Sequence, residues 1–193
     1  MPILPAEPDF YPPDLWDRPQ VNGSEGEGEG AVWWCLHTKP RQEKSVGREL
    51  RKQGHTFYLP QVLKEDRTPG GRKIRSVLPL FSSYLFLHGD HNARLAALRG
   101  NRLVGVLEVL DQDGLERDLR QIHTMLSSGL PVSAEPTVPV GARVRITTGP
   151  LTGVEGTVIR RGKRDEFVAV VRFLGRGATV DLEDWQVEQI TEG

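Results

Sequence analysis

The sequence is poor in cysteine, since Cys35 is its one cysteine in 193 residues. Neither an intramolecular disulfide nor a cysteine-based metal site can therefore form. Long hydrophobic runs are also missing, because even the almost wholly apolar stretch LPLFSSYLFL (78–87) is far shorter than the ~20 residues of a membrane-spanning helix. The N-terminal MPILPAEPDF lacks the basic region and long apolar stretch of a secretory signal. We therefore expect a cytoplasmic protein with no membrane partner.

Catalytic patterns are missing as well. The five histidines are scattered, and neither HExxH nor CxxC occurs. His88 and His91 flank Asp90, but no third ligand stands at a spacing that would complete a metal site. The glycine-rich TPGGRK (68–73) lacks the GxxxxGK[ST] layout of a phosphate-binding loop. Cys35, between Trp34 and Leu36 in an apolar stretch, is interpreted as a small core residue rather than a nucleophile. We predict no enzyme activity, no cofactor and no metal.

Charge divides the chain, although its formal net charge is only −1. Residues 1–30 hold one base against seven acids, whereas residues 31–126 hold 16 bases against 10 acids. Residues 127–193 are close to balanced, with 8 bases and 9 acids. The basic excess of the middle part suits a polyanionic partner, and a solvated basic face is the commoner alternative.

The first 30 residues are predicted to be a disordered acidic tail. Six prolines interrupt regular pairing, and NGSEGEGEG (22–30) has the composition of a flexible linker. DFYPPDLWD (9–17) groups aromatic residues among acids, which is compatible with a solvated leader or with a peptide that docks on a partner. The solvated leader is the favoured interpretation because such leaders are common.

Residues 31–126 predict a first folded domain. The pattern indicates a strand at 31–39, a helix at 40–54, extended chain with a hairpin tip at RTPGGRK (67–73), further strands to residue 89, a helix at 91–100, a strand at 104–111 and a helix at 113–129. Helices mixed with mostly antiparallel strands indicate an α+β sandwich.

The remainder predicts a linker and a second domain. Residues 127–138 are rich in serine and proline and are interpreted as the linker. Residues 139–193 alternate short β-branched segments with glycine turns and show no helical period, which predicts a small β-barrel. The density of β-branched residues favours a stable barrel over a helical form of this region.

Two stretches resemble a known family. WWCLHTKPRQEKSVGRELRKQG (33–54) with VLPLFSSYLFL (77–87) is similar to the N-terminal (NGN) domain of NusG-type transcription factors, and VPVGARVRITTGPLTGVEGTVI (138–159) resembles the KOW motif that follows it, in an SH3-like barrel. TKPRQE and PLFxxYLF are closer to the specialised RfaH-like paralogues than to housekeeping NusG.

The resemblance implies a docking surface for RNA polymerase. In the family, the strand that corresponds to 78–87 forms a hydrophobic depression, which receives the clamp helices of the polymerase largest subunit. Residues that would form or border it here are Trp33, His37, Phe81, Tyr84 and Phe86. Rigid aromatic rings suit such a groove. The alternative is that Tyr84 and Phe86 lie in the core beneath a helix. Ser82 and Ser83 replace the proline and the glycine or asparagine that are usual in the family.

The resemblance also implies a nucleic-acid surface. In the family the basic side faces upstream DNA and the non-template strand, and specialised members read a short element there. The candidates are Lys39, Arg41, Arg72, Lys73 and Arg75.

The KOW turn contains Gly149, Pro150, Gly153 and Gly156, which we interpret as folding determinants: the first three shape a tight connection, and Gly156 permits close backbone approach. Related barrels contact ribosomal protein S ten, the termination factor Rho, or RNA. We expect a monomeric elongation and antitermination factor. The alternatives are a housekeeping NusG and a ribosome-associated KOW protein that binds RNA.

Overall fold

The structure is a computed structural model that describes residues 7–17, 30–136, 140–161, 164–182 and 187–190. Its contacts divide the chain into two compact units, residues 1–112 and residues 113–193. Among the helices in these described ranges, none combines the length and the apolar character needed to cross a bilayer.

The first unit mixes strands and helices along the chain. Its elements are β1 (Phe10–Tyr11), β2 (Val32–Thr38), α1 (Glu43–Lys52), β3 (Thr56–Tyr58), β4 (Gln61–Arg67), β5 (Lys73–Pro79), β6 (Tyr84–Gly89), α2 (His91–Arg99) and β7 (Leu103–Glu108). Five of the strands form one sheet in the order β1-β3-β6-β2-β7, and β4 and β5 pair only with each other as a hairpin. All these pairings are antiparallel. The predicted α+β class is confirmed.

The register of the central strands gives the main sheet two apolar faces. Leu36 of β2 is opposite Leu85 of β6, and both lie on the face that α1 and α2 cover. We call this the helix face. Its buried core is completed by Val46, Leu50, Phe57, Leu59, Leu87, Ala93, Ala97 and Leu103. Side chains alternate along a strand, so the neighbouring residues point the other way.

The opposite face carries the rings. Trp33 pairs with His88, Cys35 with Phe86, and His37 with Tyr84 in the same register. Tyr58 of β3 lies beside Phe86 on this side. We call it the aromatic face. Residues 84–87 of the apolar stretch are therefore apolar on both sides, because β6 lies in the middle of a sheet with two apolar faces.

Pro60 separates two strands that the sequence pattern merged. The prediction joined residues 56–66 into one extended segment, whereas β3 ends at Tyr58 and β4 begins at Gln61. β3 pairs with β6 in the main sheet, and β4 leaves it to pair with β5. A proline has no N–H to donate to a strand ladder, so a break at this position is physically reasonable.

Residues 7–17, called here the N-terminal segment, differ from the predicted disordered tail. Phe10 and Tyr11 form β1, which adds a fifth strand to the sheet by pairing with β3. Leu15 is buried, and the Trp16 ring is parallel to Trp33 with 6.3 Å between centroids. The aromatic residues in this acidic stretch thus provide buried contacts that its charge and proline content concealed. The rest of the predicted tail, apart from Gly30, lies outside the described residues.

The carboxyl group of Asp9 in this segment predicts a pH effect on stability. Burial raises its pKa above the ordinary value of 3.8, more than a backbone hydrogen bond lowers it. Because the pKa is higher in the folded state, ionised Asp9 destabilises the fold at neutral pH, and this penalty disappears as the pH falls below the unfolded pKa. We expect Asp9→Asn to have a higher melting temperature than the wild type at pH 7, with a smaller difference at pH 4.

Thermal unfolding at the two pH values measures this effect. Asp17→Asn is the matched control, since it removes an exposed carboxylate from the same segment. A difference that is equal at both pH values, or that grows on acidification, would contradict the assignment.

The second unit is mainly β-structure. Its elements are α3 (Gln112–Ser127), which begins at the division, β8 (Ser133–Glu135), β9 (Ala142–Ile146), β10 (Glu155–Arg161), β11 (Arg164–Val171), a 3-10 turn (Arg172–Leu174), β12 (Arg176–Asp181) and β13 (Val187–Gln189). The strands form one antiparallel sheet in the order β13-β9-β10-β11-β12-β8. The prediction of β-structure after residue 139 is confirmed.

The predicted domains of 31–126 and 139–193 stay predictions, and the division into compact units falls between residues 112 and 113. From Asp113 onward, helix α3 belongs to the same unit as the C-terminal sheet. Its buried Asp118 accepts hydrogen bonds from the Arg172 backbone N–H (2.9 Å) and guanidinium (3.0 and 3.2 Å). The predicted linker 127–138 contains β8, which pairs with β12 through residues such as Glu135. Serine and proline content alone did not reveal that this stretch supplies an edge strand.

Candidate functional site

One part of the aromatic face remains partly accessible. His37 and Tyr84 are both half-buried, and their rings stack with centroids 4.9 Å apart and planes inclined by 15°. They are direct neighbours across β2 and β6. On the neighbouring strand β7, Leu107 is opposite Cys35 and is 39% exposed. Gly105 is opposite His37 and, as a glycine, has no side chain to cover the ring. We call His37, Tyr84 and Leu107 the exposed aromatic end.

Three of the five predicted docking residues are buried instead. Phe86 is fully buried, and Phe81 meets it edge-on with centroids 6.4 Å apart. Trp33 is buried and is stacked against Trp16. The expectation that Phe86 is uncovered is therefore corrected, and Phe81 and Trp33 also contribute packing rather than surface. His37 and Tyr84 keep the accessibility that a docking role requires.

The turn before β6 explains how Tyr84 is placed. Tyr84 N–H donates to the Phe81 carbonyl (3.0 Å), and Ser83 between them has a left-handed φ of 69°. Glu43, which is buried at the start of α1, accepts a hydrogen bond from Ser83 N–H at 2.7 Å. That bond helps to hold a non-glycine residue in an unfavourable conformation. Sequence reasoning missed Glu43, since nothing in its local pattern distinguishes it from other first-turn acids.

The Cys35 thiol is inert in this environment. It is fully buried on the aromatic face, and burial raises its pKa to about 12. A thiol with this pKa stays protonated at neutral pH and is a poor nucleophile.

Two of the basic residues near α1 line an open cavity of about 460 Å³. Arg41, with a left-handed φ of 62°, and Lys44 lie on one side of it, and the base of the β4–β5 hairpin lies on the other. Lys44 Nζ donates to the Val77 carbonyl at 2.7 Å and so ties α1 to the hairpin. The remaining lining residues are Pro40, Glu43, Leu78, Pro79, Ser82 and Ser83. The sequence places Lys44 in the basic stretch that suits a polyanionic partner, although it is not one of the five named candidates.

The other predicted basic residues occupy different positions. Arg72 and Lys73 are exposed where the hairpin turns. Arg75 is paired with Glu65 on the facing strand at 2.6 Å. Lys39 Nζ donates to the Asn101 carbonyl (2.8 Å) and to its side-chain oxygen (3.3 Å). The structure therefore brings Arg41 and Lys44 together, and leaves the hairpin residues on a separate projection from the same unit.

Three of the four residues of the KOW turn, Gly149, Pro150 and Gly153, lie between β9 and β10 in the second unit. Gly149 and Gly153 have φ values of 87° and 88°, which favour glycine. Pro150 is exposed, and Gly153 N–H closes the loop by donating to the Ile146 carbonyl at 2.8 Å. Gly156 lies in β10 rather than in the turn. A Cβ added to Gly156 would stand 2.6 Å from the Phe167 ring.

Sequence reasoning also missed Phe173 as a surface residue. It belongs to the 3-10 turn that ends β11, and it is 38% exposed. The sequence pattern around Phe173 predicts a continuous strand and gives no sign of the 3-10 turn at Arg172–Leu174.

Comparison with known families identifies the first part of the chain. Residues 31–125 match the family model described as "NusG: Transcription termination factor nusG". This match places residues 31–125 of the chain in the NusG family. It spans β2 to α3 and therefore includes the exposed aromatic end and the cavity. NusG-family proteins are transcription factors that bind RNA polymerase rather than enzymes.

A solved structure described as "Domain interaction in Thermotoga maritima NusG" is also similar to this chain. The two share 20% sequence identity with a TM-score of 0.45, and the alignment covers 83% of this chain and 98% of that one. The comparison with curated proteins gives no match.

Proposed function

We propose that this chain is a transcription elongation and antitermination factor that binds RNA polymerase through the exposed aromatic end. The match of residues 31–125 to the NusG family carries the proposal. The stacked His37–Tyr84 pair supports the choice of surface, because two half-buried rings already held in place lose little conformational freedom on binding. The partner surface is the clamp-helix coiled coil of the polymerase largest subunit.

The physical mechanism is a shift of the polymerase between conformations. A factor that contacts both sides of the main cleft binds the closed, processive state more tightly than the open state, and so raises its population. The population of paused states falls by the same coupling. The first unit contacts one side of the cleft, and its basic hairpin and the cavity face the nucleic acid.

Within the family, we propose a specialised RfaH-like paralogue rather than a housekeeping NusG. TKPRQE (38–43) and PLFSSYLF (79–86) support this assignment. We also propose that the second unit, in which Phe173 is 38% exposed, contacts another protein, for which ribosomal protein S ten and Rho are the candidates. Aromatic residues, phenylalanine among them, are enriched in protein interfaces.

The test is transcription by purified core polymerase on a template with a strong pause. Addition of the chain is expected to shorten the pause and to increase read-through of a terminator. A chain that does not bind polymerase, and that sediments with ribosomal subunits instead, would favour the KOW-type RNA-binding alternative.

We also propose that Arg41 and Lys44 at the cavity, with Arg72 and Lys73 on the hairpin, bind exposed single-stranded DNA. Arg41 and Lys44 line one concave surface, and the Arg72 and Lys73 side chains are exposed on the hairpin. A phosphate backbone is recognised by spread cationic groups of this kind, and its binding weakens steeply with salt. Arg75 has a smaller role because the Glu65 carboxylate already neutralises its charge, whereas Lys39 and Lys44 donate only to neutral oxygens.

Removal of two of these charges predicts a change in salt dependence. Arg41→Gln with Arg72→Gln is expected to weaken single-stranded DNA binding and to reduce the slope of log K against log salt by roughly 0.7 for each phosphate that the variant no longer neutralises. Fluorescence polarisation across a salt series measures both effects. Arg160→Gln with Arg164→Gln is the matched control, since it removes two arginines from exposed ion pairs in the second unit. An unchanged slope for the first variant, or an equal reduction in the control, would contradict the assignment.

A further inference from the structure

The N-terminal segment is bound to the first unit as an added strand. Phe10 is opposite Tyr58 and Tyr11 opposite Phe57, at the edge of the sheet. The Leu59 N–H donates to the Asp9 carbonyl at 2.6 Å and continues the pairing beyond β3. Main-chain bonds at a free sheet edge are the usual way in which a domain binds an extended peptide. The segment also lies outside residues 31–125, which match the family model.

Two aromatic side chains anchor the segment beside that edge. The Phe10 ring meets Tyr58 edge-on with centroids 6.3 Å apart. Trp16 stacks on Trp33 with planes inclined by 8°, and meets Tyr58 edge-on at 4.8 Å. Leu15, which lies between Phe10 and Trp16 in the sequence, is also buried. Trp33 and Tyr58 therefore form the walls of a groove, and Phe10 and Trp16 are the side chains that fill it.

Charge favours an occupant with an acid at its start, where Glu7 lies. Residues 7–17 contain four acids and no base. On α1, Arg48 forms an ion pair with Glu7 at 2.7 Å, and Arg51 Nη2 donates to the Pro8 carbonyl at 2.7 Å. Arg48 and Arg51 are three residues apart and so lie on one side of the helix. The groove thus combines a strand edge, two aromatic walls and two guanidinium groups.

The core on the helix face of the first unit is formed almost entirely by residues outside the segment. The buried cluster on the helix face uses residues between Leu36 and Leu103, and from the segment only Tyr11 packs against it, partly buried. Residues 18–29 join the segment to the domain, and the last seven of them, residues 23–29, are mainly glycine and glutamate. A two-residue strand with surface ion pairs is a small attachment compared with that core.

We propose that this edge groove is a binding site for an extended acidic peptide with two aromatic anchors, and that residues 7–17 occupy it in cis as a displaceable ligand. Occupation covers Trp33 and engages Arg48, so release of the segment exposes an apolar wall and a basic helix side at once. The site is independent of the exposed aromatic end, which His37 and Tyr84 form on other positions of the sheet.

The test uses the full chain with a protease site inserted after Ser24, and a fluorescent peptide of residues 7–17 as the probe. A tethered ligand acts at an effective concentration near the millimolar range, whereas the cleaved fragment is diluted to the protein concentration. We expect the intact chain to bind the probe at least tenfold more weakly than the cleaved chain. A probe in which both anchors are replaced, Phe10→Ala with Trp16→Ala, is expected not to bind the cleaved chain.

Other results would overturn the proposal. If the cleaved fragment does not exchange with a large excess of probe, the segment is an integral part of the fold. Unfolding of the domain when the fragment leaves, measured by circular dichroism, leads to the same conclusion. Equal binding of the probe to intact and cleaved chains would place it at another site. A dimer of the intact chain that Phe10→Ala with Trp16→Ala abolishes would assign the groove to the segment of a second copy.

Discussion

A chain that carries His37→Ala and Tyr84→Ala is expected to lose about 2 kcal/mol of binding free energy for core RNA polymerase, or roughly a thirtyfold decrease in affinity. The two rings stack at 4.9 Å and are half-buried before any partner binds. A preorganised aromatic pair of this kind is typical of the few residues that dominate an interface. Titration of labelled polymerase at fixed salt measures the affinity, and circular dichroism confirms that the variant is folded.

The matched control removes two apolar side chains from the other side of the sheet. Leu95 and Leu98 on α2 are each 38% exposed, close to the exposure of Leu107 at the aromatic end. Leu95→Ala with Leu98→Ala is expected to leave polymerase affinity unchanged. A folded His37/Tyr84 variant with full affinity would remove the exposed aromatic end from the proposed interface.

Phe86→Ala is not a suitable probe of the same interface. The ring is fully buried and meets Phe81 edge-on, so truncation leaves a cavity that costs about 3–5 kcal/mol of folding free energy. Weaker polymerase binding by that variant would follow from its unfolding and would not show whether the ring contacts the polymerase.

Gly156→Ala is expected to destabilise the second unit by about 3 kcal/mol, the upper end of the cost of overpacking. An added Cβ would lie 2.6 Å from the Phe167 ring and would also meet the Val168 carbonyl oxygen on the paired strand. Phe167 is fully buried and its backbone is paired on both sides, so neither neighbour can move away cheaply. Urea denaturation followed by far-UV circular dichroism is expected to show a midpoint lowered by roughly 1–3 M.

Gly105→Ala provides the comparison. Gly105 also lies in a strand, but an added Cβ there has no atom within 4 Å. Its replacement is expected to leave the midpoint unchanged or to raise it slightly, because alanine restricts the unfolded chain. If both variants unfold at the wild-type midpoint, close approach at Gly156 is not what requires glycine.

Local patterns were sufficient for most of the secondary structure. Val46 and Leu50 stand four residues apart, Gly54 follows with a φ of 74°, and α1 occupies residues 43–52 between the predicted limits of 40 and 54. The hairpin tip at Pro69–Gly71 and the strands after residue 139 follow from turn residues and β-branched side chains in the same way. These signals are read within a few residues of one another, so no knowledge of distant contacts is needed.

The accessible residues of the site could not be identified in this way. Phe86 and Tyr84 lie on the same face of one strand and are two residues apart, yet one ring is fully buried and the other half-buried. Their difference depends on Phe81, which a turn folds back against Phe86. Likewise, Trp33 is covered by Trp16, a residue of a stretch that proline and acid content marked as a tail.

The sequence by itself determined the family, the α+β class and an apolar strand at 84–89 with a basic stretch beside it, because those properties depend on residue type and short spacings. Tertiary structure alone decided which rings remain accessible, that residues 7–17 fill a sheet edge, and that Asp118 of α3 accepts hydrogen bonds from Arg172. The exposure of a side chain depends on which residues pack against it from a neighbouring strand or from beyond a turn. Those neighbours are brought together by folding from positions such as 16 and 33, or 118 and 172, that no local pattern connects.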